Sequence, residues 1–149
     1  MHFKNKNQIT GIVDFAHTPN ALQNLLGNIQ EFKKGKVISI LGAQGEKDKS
    51  KRAQMGVIAT RLSDITIFTS EDPKHESLFG ILYDLTKELE DKEYYLTLSR
   101  KEAITLATKL AKPNDIIVIT GKGNETSEQI YDFHFKHNDY TLLKNALDA

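Results

Sequence analysis

The chain has 149 residues, about one domain's worth and enough for a single substantial core. Twenty Lys and Arg balance twenty Asp and Glu, so no overall basic field marks nucleic acid or an anionic membrane as a partner. The absence of Cys excludes disulfides, thiolate metal sites and cysteine nucleophiles. The apolar run at residues 116–119 is far too short to span a bilayer, and no apolar leader follows Met1. A soluble, cytoplasmic domain is expected.

Residues 9–13, rich in β-branched side chains, predict a first strand. Asp14, Phe15, Ala16 and His17 lead from it to Thr18, a capping residue, and to Pro19, suited to open a helix. Leu22, Leu25, Leu26 and Ile29 form the buried stripe of that helix. Residues 36–41 predict a second strand stopped by Gly42, and Met55, Ile58, Ala59 and Leu62 mark the next helix. A third strand is expected over 65–69, followed by a helical stripe of Leu78, Ile81, Leu82, Leu85 and Leu89. Residues 94–98 suggest a fourth strand, and Ala103, Ile104, Ala107, Leu110 and Ala111 a fourth helix. Pro113 and Asn114 turn into a strand over 115–120, which Gly121, Lys122 and Gly123 end. Beyond it come a short strand pair around 130–135 and a last helix over about 138–147, burying Leu142, Leu143, Ala146 and Leu147.

Strand–helix units with almost continuously apolar strands predict one α/β domain over residues 1–149. It is Rossmann-like and doubly wound, with a mostly parallel sheet and helices on both faces. Ligands of such sheets bind beyond the carboxyl ends of the strands. Those positions hold Asp14 and His17, then residues 42–52, 70–76 and 121–125. The four loops should converge on one crevice.

Each loop admits two readings. Asp14 suits a ribose hydroxyl and His17 a phosphate at a helix N-terminus; alternatively Asp14 caps locally and His17 is an ordinary surface histidine. Four cations between Lys47 and Arg52 oppose the helix dipole, so they either bind a polyanion or are solvated beside Glu46 and Asp48. The segment is neither a Walker A loop nor G-x-G-x-x-G. Residues 70–76 crowd ionisable groups around Pro73, fit either for a zwitterionic ligand or for a polar turn. His75 and Glu76 are adjacent rather than four apart, so no metal site is expected. Gly121 and Gly123 allow close backbone approach. His2, His134 and His137 have no ligand spacing and are expected at the surface.

In this order the motifs resemble the C-terminal domain of the Mur ligases, closest to the UDP-N-acetylmuramoyl-tripeptide synthetase branch, which adds a diamino acid to the peptidoglycan precursor. The matching stretches are 13–19, 45–52 with Met55 and Gly56, 69–73, and 121–125, with Asn138 and Asp139 late in the chain; the resemblance covers residues 9–147. It implies the last domain of a three-domain ligase that uses ATP to phosphorylate the carboxylate of a UDP-linked muramoyl dipeptide. An amine then attacks the acyl phosphate, giving an amide, ADP and phosphate. The UDP-binding domain and the central domain, with its phosphate loop, magnesium ligands and modified lysine, are not in this chain. So ATP and magnesium belong to the full-length enzyme, this domain alone holds no cofactor or metal and no catalytic residue, and it should be inactive by itself. By resemblance Asp14 and His17 serve ATP, while Lys47, Asp72, Lys74, Gly121 and Glu125 form the amino-acid pocket.

The chain departs from the family pattern at several of these positions. Lys47 and Lys74 stand for Arg, keeping charge but losing the bidentate fork. Asp72 stands for Asn and is a pure acceptor; Asn124 stands for His. Two alternatives remain: a stand-alone binding or regulatory module of the same fold, and another superfamily ligase such as a folylpolyglutamate or cyanophycin synthetase relative.

Overall fold

The computed structural model describes residues 1–90 and 92–149. In chain order the elements are β1 (His2–Lys4), β2 (Thr10–Asp14), α1 (Pro19–Phe32), β3 (Val37–Leu41), a 3₁₀ turn at Lys49–Lys51, α2 (Arg52–Arg61), β4 (Ile65–Phe68) and α3 (Leu78–Thr86). They continue with β5 (Tyr95–Leu96), α4 (Arg100–Leu110), β6 (Ile116–Thr120), β7 (Ser127–Ile130), β8 (Phe133–Lys136) and α5 (Asp139–Asp148). Helix starts follow the capping chemistry. Thr18, Ser77, Ser99 and Asn138 each turn a side-chain oxygen to an amide three residues on, and Pro19 opens α1.

Six strands form one sheet in the order β1-β2-β6-β3-β4-β5. All neighbours run parallel except β1, which is antiparallel to β2. The central strands β3 and β6 are buried along their whole length, as a sheet covered on both faces requires. One core cluster joins α1, α2 and α3 to Val37, Leu41, Ile116 and Val118. The other joins α4 and α5 to Ile38, Ile40, Ile117 and Ile119. The chain steps from β2 through β3 and β4 to β5 in one direction, then returns to insert β6 between β2 and β3. Right-handed crossovers put helices from the two directions on opposite faces, the doubly wound arrangement the sequence predicts. β7 and β8 form a separate antiparallel hairpin.

Local differences from the sequence reading have physical reasons. β1 was not anticipated because His2, Phe3 and Lys4 carry no apolar run; it forms as an edge strand closing against β2. β5 shrinks to two exposed residues at the other edge. The late strand pair shifts and lengthens to 127–136. α3 stops at Thr86, although Leu89 still packs against the core.

Gly56 marks the closest approach of α2 to α3, since a Cβ there would collide with the carbonyl oxygen of Leu85. In an open helix Gly→Ala stabilises by about 1 kcal/mol. Here overpacking against backbone, which costs about 1–3 kcal/mol, should win. Gly56→Ala is expected to lower the urea midpoint; a raised midpoint would show that the two helices can separate freely.

Candidate functional site

The parallel sheet brings four loops to one edge, and backbone contacts lock them together. The amide of Gly121 donates to Asp14 O at 3.0 Å, and that of Gly45 to Asp72 O at 3.0 Å. Gly123, at φ +56°, lies under the Phe15 ring. Gly121, at φ +108°, lies against the Glu71 carboxyl, and Gly45 against the Pro73 carbonyl. No side chain fits at these points. The glycines between 42 and 123 thus let four loops pack at van der Waals distance.

Between loops 14–18, 42–48 and 69–71 and the start of α2 runs a cleft of 280 Å³, lined by His17, Thr18, Gly42, Lys47, Lys51, Arg52 and Glu71 among others. His17 Nδ1 lies 2.8 Å from Phe15 O. A carbonyl only accepts, so Nδ1 carries a proton and Nε2 is the nitrogen left for a ligand. Asp14 Oδ2 accepts the Ala16 amide at 2.9 Å, the local capping reading, and uses one carboxylate oxygen to do so. Lys47 is exposed on the cleft wall.

Asp72, Lys74, Gly121 and Glu125 gather on the hairpin side. Asp72 Oδ2 accepts from Lys122 Nζ at 2.6 Å, and Oδ1 from the Gln129 amide at 2.8 Å. Lys122 is fully buried and also donates to Glu125 Oε1 at 3.1 Å. These carboxylates hold its ammonium above the usual lysine range although burial alone would lower it. Lys74 is fixed by its backbone: its amide donates to Gln129 O at 3.3 Å and its carbonyl accepts from Tyr131 N at 2.6 Å. Among the described residues its ammonium makes no ion pair. Asp72 and Lys74 both adopt left-handed backbone, φ +43° and +55°, a strain that side chains other than glycine carry only where surroundings impose it. Among the described residues no group of three or more His, Asp or Glu could hold a metal ion.

Sequence reading missed the ions that hold these loops. Arg52 is buried and forks onto Glu76, with Asp84 and the Gln44 carbonyl as further acceptors. The fork holds Glu76 down to about 2 and joins loops 42–48 and 69–76. Arg100 and Asp139 form a pair inaccessible to water. Arg100 also donates to Ser70 O and Thr120 O at the ends of β4 and β6. His137, expected at the surface, is buried and donates from Nε2 to Asp139 at 2.6 Å. Glu128, also buried, accepts from the Ser70 hydroxyl at 2.8 Å and clips β7 to the same loop. Spacing gives no sign that either Arg100 or Asp139 faces inward; Asp139 stands out only as a position of the family resemblance, and Arg100 only by its charge ahead of the fourth helical stripe.

Residues 1–123 match the family model of the Mur ligase glutamate ligase domain. The chain is 40% identical over 137 residues to the UDP-N-acetylmuramoyl-L-alanyl-D-glutamate–2,6-diaminopimelate ligase of Clostridium tetani, covering 92% of this chain and 28% of that protein. A solved structure of a ligase of that name superposes with a TM-score of 0.93 at 26% identity, over 99% of this chain and 30% of the other. The bifunctional folylpolyglutamate synthase/dihydrofolate synthase of Yersinia pestis, complexed with AMPPNP and a manganese ion, shares the fold at a TM-score of 0.63 and 20% identity, over 80% of this chain and 27% of the other. This chain spans less than a third of the length of these relatives.

Glu71 supplies a pH test of the site. Its burial pushes the carboxyl up to about 8, against the pull of Arg100 and Lys122. A carboxyl near 4.3 when unfolded and about 8 when folded binds its extra proton in the folded state between those values. Its contribution to stability is therefore complete below about 4.3 and is lost progressively as pH rises from there through about 8, at no more than about 1.4 kcal/mol per pH unit. Glu71→Gln should gain stability relative to the parent chain between pH 5 and pH 9 in urea titrations. Parallel profiles for the two proteins would contradict a buried, neutral Glu71.

Proposed function

Because the chain belongs to the Mur ligase family, as its C-terminal, glutamate ligase domain, we propose that it supplies the amino-acid pocket and part of the ATP site of an amide-forming ligase of cytoplasmic peptidoglycan precursor synthesis. In that reaction ATP phosphorylates the carboxylate of a UDP-muramoyl dipeptide. A diamino acid then displaces the phosphate through its amine, leaving an amide, ADP and phosphate. The phosphate loop and magnesium belong to the rest of the ligase, since no Gly-Lys-Ser/Thr loop occurs in this sequence. Asp14 turns to the ribose side of the nucleotide, and His17, through Nε2, to its phosphates. Lys47 and Lys74 receive carboxylate, while Asp72 and Glu125 flank the buried Lys122 and set the polarity at the far end of the diamino acid; Gly121 lets the chain come close there.

The loop 69–76 carries this reading. Two non-glycine residues in left-handed backbone, Asp72 and Lys74, are pinned by the β7–β8 hairpin and present one ammonium that makes no ion pair among the described residues. Strain held in place beside a cleft with no structural use for that ammonium is the mark of a binding loop.

A domain exchange tests it. This chain, replacing the corresponding 28% of the Clostridium tetani ligase, should give an enzyme that releases phosphate from ATP only when an amino acid is present. Lysine, diaminopimelate and ornithine would be assayed in parallel. The 149-residue chain alone should release none. A folded hybrid without amino-acid-dependent turnover would contradict the proposal. In the active hybrid, Lys74→Ala removes one charge-assisted contact, about 1.5–3 kcal/mol. The KM for the amino acid should rise about ten- to hundredfold, with less effect on that for ATP. A shift confined to ATP would assign the loop to the wrong ligand.

A further inference from the structure

At the opposite edge of the sheet from the crevice lies a groove of 500 Å³ that none of the roles above uses. The topology opens it. α1 packs with Val37, Ile116 and Val118, with Ile12 of β2 at the margin of that cluster, and leaves the same face of β1 without a helix. On the other face α5 covers these strands, with Phe3 edge-on to Tyr140 and Leu143 against Gly11. Side chains alternate along a strand, so His2, Lys4, Thr10 and Ile12 turn to the uncovered side. The register sets His2 opposite Ile12, Lys4 opposite Thr10, and Thr10 beside Ile116.

The groove's chemistry is one-sided. Ile12 and Ile116 line its floor, and Phe32, 58% exposed at the end of α1, lines its wall. Lys4 and His2 stand on one bank and Lys34 on the other. Among the described residues no Asp or Glu lines it. Among the described residues neither Lys4 nor Lys34 makes an ion pair. In a chain of zero formal net charge, two lysines lining one apolar groove, neither in an ion pair among the described residues, are a local bias. Each retains favourable energy only toward an anion placed between them. The floor adds what a free inorganic ion lacks, apolar surface that a carbon skeleton would remove from water.

We propose that this groove binds a small organic anion with an apolar body, an aryl or alkyl carboxylate, its body on Ile12, Ile116 and Phe32 and its carboxylate between Lys4 and Lys34. The site is distinct from the crevice and does not depend on the ligase reading.

The experiment titrates the 149-residue chain with 4-phenylbutyrate and, separately, with the neutral 4-phenylbutyramide, following backbone amides by NMR. The carboxylate should shift amides at residues 2–4, 10–12, 32–34 and 114–116. The amide should bind at least fivefold more weakly. The double variant Lys4→Glu/Lys34→Glu, which changes only exposed side chains, should weaken carboxylate binding at least tenfold while leaving the amide's affinity within twofold. Absence of shifts at the groove, equal affinity for acid and amide, or an unchanged affinity in the double variant would each overturn the proposal. Shifts at the groove that follow protein concentration without added ligand would overturn it as well, in favour of a second copy of the chain as occupant.

Discussion

The Arg100–Asp139 pair is the point on which the crevice is built. Both side chains are inaccessible to water, and two ions so placed gain little net stability over an apolar pair, because desolvation offsets their attraction. Their value here is positional. One guanidinium donates to the carboxylate at the start of α5 and to the carbonyls that end β4 and β6. Burial works against the ionised form of Asp139, yet Arg100 and His137 hold its carboxyl below the usual range. The pair therefore stays charged and stays put. Breaking one partner would leave an uncompensated buried ion, a far larger penalty than the pair's net gain.

From that point a chain of hydrogen bonds runs outward to solvent. Ser70, whose carbonyl meets Arg100, turns its hydroxyl to Glu128; Glu128 holds the amide of Asp72 at 3.3 Å; Asp72 holds Lys122, which holds Glu125. A second anchor, Arg52 on Glu76, ties the Lys47 loop to the same segment. Glu46 adds an exposed clasp, accepting the His75 amide while the His75 ring meets Asp132 on the hairpin. Buried anchors lie beneath, and at the rim the ammonium groups of Lys47 and Lys74 make no ion pair among the described residues. The buried ions tie the loops to one another, and the two lysines are the cations the proposed function assigns to the ligand. Lysine in place of arginine at both rim positions fits a pocket that receives charge without fixing the plane of a carboxylate.

Much of the fold was legible because its strands and helices obey their periods. The stripe Leu22, Leu26 and Ile29 and the runs in β3 and β6 are buried as their spacing requires. The switch-point rule brought Asp14 and His17 and the loops 42–52, 70–76 and 121–125 to one edge of the sheet. The anchors were not legible. Arg52 stands in a basic run that reads as solvated or anion-binding, yet it is buried and both terminal nitrogens of its guanidinium donate to protein acceptors. Lys122 sits between two glycines and reads as a loop cation, yet it is buried. His137 has no spacing with any ligand because its partner, Asp139, is two residues away on a helix start. Nothing local in sequence distinguishes an inward ion from an outward one; the carboxylates Glu76, Asp139 and Asp72 that meet Arg52, Arg100 and Lys122 lie 24, 39 and 50 residues away.

Hydrogen exchange in Asp139→Asn would test this frame most directly. The account predicts that loops 69–76 and 121–130 lose amide protection together with the start of α5, while β3 and the centre of β6 keep theirs. Faster exchange confined to α5, with both loops still protected, would contradict the claim that one buried ion pair sets the crevice.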